Sequence, residues 1–399
     1  MTGPAPSRAV NLTMAEELSY VLITPYSIRK SRTGGILSRL LSRSGLDLVA
    51  GRMFAVSPEL AQEFADATVT ETDARHRRTQ ELIRDYILKK LSPDADGVRQ
   101  RVLLLVLKGD DAVLKTRTVT GHIVHERTSG ETIRDTYGDY LVEDGELVYF
   151  EPAVLAAPDE ETARKHLEIF TKYSDADGGV LDESVPFPAG ENVEKTLVLI
   201  KPDNFRFPNA RPGGVMDLFS RTGLYIIGFK VHHMSVGQAA DFYGPVLDVL
   251  MDKFCEPTGK RARMAVEEEF GVPISDDLET QLGKLLGPVV GSNYWESIVQ
   301  FMAGARPSQV PADRKEQPGT EKCVALVYQG VNAVSKVREV LGPTDPSKAP
   351  FGTIRREFGQ TIMVNAAHAS DSVENALREM DIIRVSENNL KPIIESHLS

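Results

Sequence analysis

Residues 323–342 read CVALVYQGVNAVSKVREVLG, and residues 102–121 read VLLLVLKGDDAVLKTRTVTG. Each opens with an apolar run of strand length and closes with a helical pattern stopped by a glycine, Gly342 or Gly121, at the C′ position. In the later copy Val334, Val337 and Leu341 fall on one helical face. The copies align without a gap, pairing Gly109 with Gly330, Arg117 with Arg338 and Gly121 with Gly342. The same register runs on to pair Thr132-Ile133-Arg134 with Thr353-Ile354-Arg355, so a whole structural unit is duplicated.

Working outward, the second half offers strands at Lys195 to Ile200, Tyr225 to Met234, Cys323 to Tyr328 and Thr361 to Val364. Helices are expected from Gly214 to Arg221 (ended by Gly223), Tyr294 to Met302 and Asn332 to Leu341. The first half repeats the order: strand Ser19 to Ile23, helix Gly35 to Arg43 ended by Gly45, strands Asp47 to Phe54 and Val102 to Leu107, helix Asp110 to Val119. Strand, helix, strand, strand, helix, strand is the ferredoxin-like βαββαβ unit, an antiparallel sheet with helices packed on it. The expected fold class is therefore α/β of the α+β kind, with two tandem ferredoxin-like domains over 16–172 and 194–399. Residues 173–193, rich in Gly, Asp and Pro, read as a linker. Asp175, Asp177 and Gly178 sketch a calcium loop, but the late acidic ligand is out of register, which favours the linker.

Composition agrees with two globular units. The 399 residues are 41% hydrophobic and 26% charged, enough to bury a core throughout. The longest apolar runs are strand-sized, far below the roughly 20 residues that span a bilayer. The start, residues 1–13, lacks an apolar h-region and reads as a tail and not a signal peptide. Cys255 and Cys323 are the only cysteines, too few for a disulfide framework, which suits a reducing cytoplasm. A formal net charge of -11 opposes binding to nucleic acid or anionic membranes and directs attention to small anionic ligands held in a local basic pocket.

Residues 365–372, NAAHASDS, put His368 at the end of a strand and just ahead of a helix. Asp371, with Glu374 three residues on, is the expected cap, and Val373, Ala376, Leu377 and Met380 give that helix an apolar stripe. Unpaired backbone N–H groups and the positive end of the helix dipole then lie beside the imidazole, a place suited to phosphate. A neutral imidazole there can attack phosphorus and split one transfer into two, or it can serve only as packing.

Four features in order, Lys201-Pro202-Asp203 after a strand, Leu341-Gly342-x-Thr344-x-Pro346, Gly352-Thr353-Ile354-Arg355 and the NxxHxSDS pattern at 365–372, resemble the nucleoside diphosphate kinases across most of residues 194–399. The resemblance implies a phosphotransferase that moves the γ-phosphate of ATP to a nucleoside diphosphate by way of a phosphohistidine on His368. It implies that Glu379 orients the imidazole, that Ser370 supports Glu379, and that Lys201, Tyr243, Arg338, Thr344 and Arg355 hold the phosphates. Asn365 and Lys201 would bond the ribose, Tyr294 would stack on the base and Ile362 would line its slot. Magnesium would arrive on the nucleotide, with no metal cage of the protein's own.

Departures from the family pattern are equally visible. Long insertions at about 250–293 and 305–322 flank the base region, the first carrying GKRAR at 259–263 and the acidic run Glu267 to Glu269, expected on a solvated helix face. Ala369 stands where the family has glycine, which restricts the backbone next to the histidine. In the first half Thr24 takes the lysine position, and the histidine position falls on Leu147 or Leu155 depending on the anchor chosen. Its own histidines, His76, His122, His125 and His166, match neither, while Arg117 and Arg134 persist. That half is expected to be non-catalytic, either a regulatory nucleotide site or, more plainly, a packing partner that makes an intramolecular pseudo-dimer or part of a homo-oligomer. Two rivals to the standard kinase remain open at this point: the same phosphohistidine serving a specialised acceptor, and a non-catalytic nucleotide-binding regulator.

Overall fold

The apolar runs pair into two four-stranded antiparallel sheets, one in each half. A computed structural model describes residues 16–71, 73–123, 130–144, 146–182 and 184–398; the expected tail at 1–13 and His125 lie outside them. The first half holds β1 (Glu17–Ile23), β2 (Asp47–Ala55), β3 (Arg101–Gly109), a hairpin of β4 (Asp139–Glu143) and β5 (Glu146–Glu151), and the short β6 (Val154–Leu155). The second holds β7 (Val193–Ile200), β8 (Tyr225–His232), β9 (Cys323–Val331) and β10 (Ala367–Ala369). Their orders, β2-β3-β1-β6 and β8-β9-β7-β10, are the same order used twice, so the duplication seen in sequence is a duplication of fold.

One expected strand moves. Residues 361–364 form bends, and the final strand is Ala367–Ala369, which contains His368. The reason is local. The N–H groups of Gln360 and Thr361 both turn back onto the Val364 carbonyl, while the carbonyls of Ile362 and Met363 accept from the side chains of Asn365 and Lys201. Backbone groups consumed this way cannot extend a sheet.

The halves join through equivalent elements. Helix Thr33–Ser44, ended by Gly45 at φ 66°, packs on helix Arg211–Phe219, whose following turn ends at Gly223 with φ 68°. Their crossing is close because Gly34 and Gly213 meet there: a Cβ on Gly213 would strike the backbone of Gly34 and Ser38. Buried residues of both halves, Ile36, Leu37 and Leu40 with Val215, Met216 and Phe219 among them, form one continuous core. Edge strands β2 and β8 face each other.

The expected linker is structured. The Asp177 carbonyl accepts from Ala55 N at 2.8 Å, Gly179 N donates to Met53 O at 3.0 Å, and Leu181 N donates to Ile227 O at 2.9 Å, so this segment stitches β2 to β8. Asp177 is buried, accepts from Ser57 N at 3.0 Å and pairs with Arg99 at 2.6 Å; its carboxylate pins a helix start and leaves no calcium loop. The C-terminal helix Leu390–Leu398 crosses back, placing Leu390 and Ile394 in the core of the first half.

The first insertion is helical: Gly244–Lys253, Cys255–Phe270 and the long Asp276–Ala303. Gly283, Gly287 and Gly291, four residues apart, let the long helix press on the backbone of Cys255 and Met251. Arg263 of GKRAR pairs with Glu267, Asp276 and Glu279 at the surface. The second insertion contributes only short turns at Pro307–Gln309 and Ala312–Arg314. Among the described residues no helix is long and apolar enough to cross a membrane.

Candidate active site

His368 lies at the centre of β10, opposite Leu199 of β7, on the sheet edge away from the junction of the halves. Ala369 sits inside that strand and outside the left-handed region, so it brings no backbone strain. The strained residue is Ala366, at φ 69°, whose carbonyl accepts from Lys201 N at 2.9 Å and Asn204 Nδ2 at 2.8 Å. The helix after the histidine is Val373–Ile382, capped by Ser372 accepting from Asn375 N at 3.0 Å. Asp371, expected as the cap, instead accepts from the Asn375 side chain. Serine one residue later reaches the third helical N–H with the geometry a cap requires.

Three expected residues form one chain of hydrogen bonds. Glu379 Oε2 is 2.9 Å from His368 Nε2 and accepts from Ser370 Oγ at 2.6 Å. The Glu379 side chain is 7% exposed and the histidine 22%, so the carboxylate is sealed while the ring reaches solvent. An acceptor-only carboxylate on Nε2 selects the tautomer with its proton there and leaves the lone pair on Nδ1. Nδ1 has no hydrogen bond to any described residue.

Around the ring, Phe242 packs edge-on at 5.0 Å and Tyr243 at 6.3 Å between centroids. Both come from the capped helix Val236–Phe242 and its end, which Arg378 ties to helix Val373–Ile382 by donating to Asp241 O and Phe242 O. The Tyr243 hydroxyl is buried without a partner, and burial raises its pKa. Arg355 donates to Gly342 O at 3.0 Å and Ala367 O at 3.4 Å, but its Nε is buried and unpaired. Burial, helped by the nearby charge of Arg338, pushes Arg355 down to about 10. Arg338 itself is exposed. The unpaired Tyr243 hydroxyl and Arg355 Nε, with the charge of Arg338 near Arg355, are donors suited to an anion.

The residues expected at the ribose also converge. Lys201 Nζ donates to Asn365 Oδ1 at 2.9 Å and Met363 O at 2.7 Å, and Asn365 Nδ2 donates to Thr344 O at 3.1 Å and Ile362 O at 2.8 Å. Thr344 and Ile362 are exposed on the rim. Burial pushes Lys201 down to about 7, opposed by Asp203 and aided by Arg355. The Tyr294 ring packs on Phe254 of the insertion at 5.3 Å between centroids. Sequence reading missed Phe242, and Phe301, whose ring lies 5.0 Å beneath Lys201 Nζ; both look like core aromatics in a linear pattern.

The first half keeps the frame with other residues at the key positions. Arg134 donates to Gly121 O and Val154 O just as Arg355 donates to Gly342 O and Ala367 O. Val113 N bonds Glu17 as Val334 N bonds Glu194. The histidine position is occupied by buried Leu155. In the following helix the glutamate position holds His166, which is 2.6 Å from Tyr20 Oη and which burial pushes down to about 4. The Tyr86 hydroxyl donates to Glu151 at 2.6 Å beside this remnant.

The nucleoside diphosphate kinase family profile matches residues 17–175 and 290–388. The nucleoside diphosphate kinase of Chlamydia pneumoniae is 29% identical over 188 residues, 47% of this chain and 88% of its own. That of Chlamydia muridarum is 30% identical over 188 residues, 47% of this chain and 90% of its own. The orthorhombic crystal structure of the Aquifex aeolicus nucleoside diphosphate kinase aligns with TM-score 0.29 and 25% identity, covering 50% of this chain and 98% of that one. With profile segments in both halves that together span more than half of its length, this chain belongs to the nucleoside diphosphate kinase family and is a phosphotransferase acting on nucleotides.

Proposed function

We propose that the second half transfers the γ-phosphoryl group of ATP to a nucleoside diphosphate through a phosphohistidine on His368, in two successive half-reactions. The observation that carries this is the pairing of Nε2 with Glu379, which leaves the Nδ1 lone pair available. In the first half-reaction Nδ1 forms a bond to the γ-phosphorus while the bond to the β,γ-bridging oxygen breaks, and that electron pair departs with ADP. The Nε2 proton stays in place, and Glu379 stabilises the charge that develops on the ring. In the second, a terminal oxygen of the incoming diphosphate takes the phosphoryl group and the nitrogen recovers its lone pair.

Arg355, Arg338 and the Tyr243 hydroxyl are assigned to the migrating group, since a loose transition state spreads charge over its equatorial oxygens. Lys201 and Asn365 are assigned to the ribose, with Thr344 on the phosphates and Ile362 and Tyr294 at the base. Among the described residues no cluster of three His, Cys, Asp or Glu side chains converges, and the free donors of the site are cations and hydroxyls suited to phosphate. On that donor set magnesium belongs to the nucleotide, where it would neutralise phosphate charge. We assign residues 16–172 to a non-catalytic unit, 173–193 to the connection and 194–399 to the catalytic unit. Two cysteines without disulfides fit a cytoplasmic setting.

The test is incubation with ATP labelled on the γ-phosphate. An acid-labile, alkali-stable label on the wild type that disappears in His368→Ala is expected; an unlabelled wild type, or a label that survives the substitution, overturns the mechanism. Offering the labelled protein a panel of nucleoside diphosphates then separates a general kinase from one with a specialised acceptor.

A further inference from the structure

Two buried cations stand at the seam between the halves, Arg52 of β2 and Lys230 of β8. Arg52 lies opposite Leu104 and Lys230 opposite Ala325, and those partners keep the gapless register that pairs Gly109 with Gly330. The two cations therefore hold equivalent places in the duplicated fold. Burial lowers the pKa of each, and the charge of Arg52 lowers that of Lys230 further.

Each is held by carbonyls at the end of a helix. Arg52 Nε donates at 3.0 Å to the carbonyl of Ser174, the residue that ends helix Glu160–Tyr173. Lys230 Nζ donates to Ile383 O at 3.3 Å and Arg384 O at 2.7 Å, just past helix Val373–Ile382. The negative ends of two helix dipoles, one from each half, thus meet at the seam, and each is offset by a cation.

Arg52 also reaches beyond its own half. Its Nη2 donates to Gly178 O at 3.1 Å and approaches Ser386 O at 3.5 Å, while Nη1 donates to Glu387 O at 3.3 Å. Ser386 and Glu387 belong to the turn that follows the helix of Glu379. There Glu387 N bonds Arg384 O at 2.9 Å, Val385 N bonds Met380 O at 3.0 Å, and Ile383 N bonds the carbonyl of Glu379 itself at 3.2 Å. Asn388 fastens the next residue to the same helix end of the first half, donating to Ser174 Oγ and Asp175 Oδ1, both at 2.7 Å. The single nitrogen of a lysine could not hold carbonyls of both halves at once; the planar guanidinium fork does.

We propose that Arg52 is a positioning residue for the reaction at His368: its guanidinium clamps the turn behind helix Val373–Ile382 and so sets Glu379 against the imidazole. The inference rests on the phosphohistidine reading given above. Glu379 lies in the last turn of that helix, so a shift of the helix end passes to its carboxylate, while His368 stays fixed in β10. Their contact, at 2.9 Å, is of the charge-assisted kind that weakens steeply with displacement and misalignment. The first half then contributes to the reaction without touching a substrate.

The experiment measures the rate of labelling by γ-labelled ATP against ATP concentration, in the full chain and below the melting point of each variant. Arg52→Met is expected to lower the maximal rate about tenfold and to leave the half-saturating ATP concentration unchanged, since no contact with ATP is lost. Arg52→Lys, which keeps the charge at the helix ends but not the fork, should lose about threefold. In a Glu379→Gln background Arg52→Met should cost less than about twofold more, because the carboxylate that Arg52 places is gone. Gly213→Ala, which loosens the same junction without touching this turn, should keep the wild-type rate. The inference is overturned if Arg52→Met labels at the wild-type rate, if its loss is the same with and without Glu379→Gln, or if Gly213→Ala loses as much. Should Arg52→Met fail to fold, Arg52→Lys decides by the same comparisons. An unlabelled wild type would sink the phosphohistidine reading itself, and this inference with it.

Discussion

Ala153 and Ala366 hold the same place in the two sheets: both are left-handed, at φ 62° and 69°, and each gives its carbonyl to the residue that follows the first strand of its half. Those residues are Thr24, whose N–H is 3.2 Å away, and Lys201, at 2.9 Å. Two strained alanines with matching partners fix the structural register between the halves, and that register sets Leu155, not Leu147, opposite His368.

From this register follows the behaviour of a restored histidine. Leu155→His in a His368→Ala background should take no label from γ-labelled ATP. The glutamate that would orient the new ring is His166, the lysine is Thr24, and Tyr86 with Glu151 occupies the adjoining space. A labelled double variant would show that the first half is one substitution from activity, contrary to its assignment as a packing unit.

On the proposed mechanism the carboxylate behind His368 has a measurable share. Glu379→Gln keeps the shape but can present its amide to Nε2, which frees the ring to adopt the other tautomer. The rate of His368 phosphorylation should fall about 10- to 100-fold, the equivalent of one charge-assisted hydrogen bond. Ser370→Ala removes only the second donor to Glu379 and should cost less, about tenfold or below. Stopped-flow phosphorylation with ATP orders the two; equal rates for Glu379→Gln and wild type would remove Glu379 from its assigned role.

Much of this was legible in the sequence because it is written in short-range patterns. The strand and helix pairs at 102–121 and 323–342 and the glycine stops need only local spacing and helical periodicity, whereas the meeting of His368, Ser370 and Glu379 was expected from the family resemblance of the motif. What escaped depends on contacts distant in sequence. Residues 361–364 lose strand form because the side chains of Lys201, just past the end of β7, and of Asn365 take their carbonyls. The segment after Tyr173 looks like a linker by composition, yet it becomes a seam because two sheet edges need partners for their backbone groups. Tyr294 meets Phe254 only because three inserted helices fold back on the site's own helix.

Lys201 should couple nucleotide binding to protons. Burial pushes the free ammonium down to about 7, so near pH 8.5 the unliganded group is mostly neutral, whereas an unfolded lysine, near 10.4, holds its proton. The unfolded chain therefore binds more protons than the folded one between these values, and this residue makes the free protein more stable as pH rises from about 7 towards about 10. Bound phosphates favour the charged form, so binding of magnesium ADP near pH 8.5 should draw in up to about one proton. Titration in buffers of different ionisation enthalpy reads this directly. A Lys201→Met variant should lose the uptake, and an unchanged uptake would place it on another group.

The contact between the halves is the part of the fold least tolerant of added volume. A Cβ on Gly213 would fall on the backbone nitrogen of Ser38 and the carbonyl of Gly34, neither of which can swing aside as a side chain can. Gly213→Ala must therefore part the helices Thr33–Ser44 and Arg211–Phe219, at a cost of about 1–3 kcal/mol for the overpacking. Gly214→Ala, one residue on, is the control: its Cβ would meet only the Phe358 ring, at 3.1 Å, and rings give way more easily than backbone. Thermal melting should therefore place Gly213→Ala clearly below the wild type and Gly214→Ala close to it. Both should still phosphorylate His368 below their melting points, because that ring stands on the opposite edge of the sheet from the junction. If the two variants melt together, the close approach of Gly34 and Gly213 does not hold the halves in register, and the shared core around Val215 and Leu40 carries that task alone.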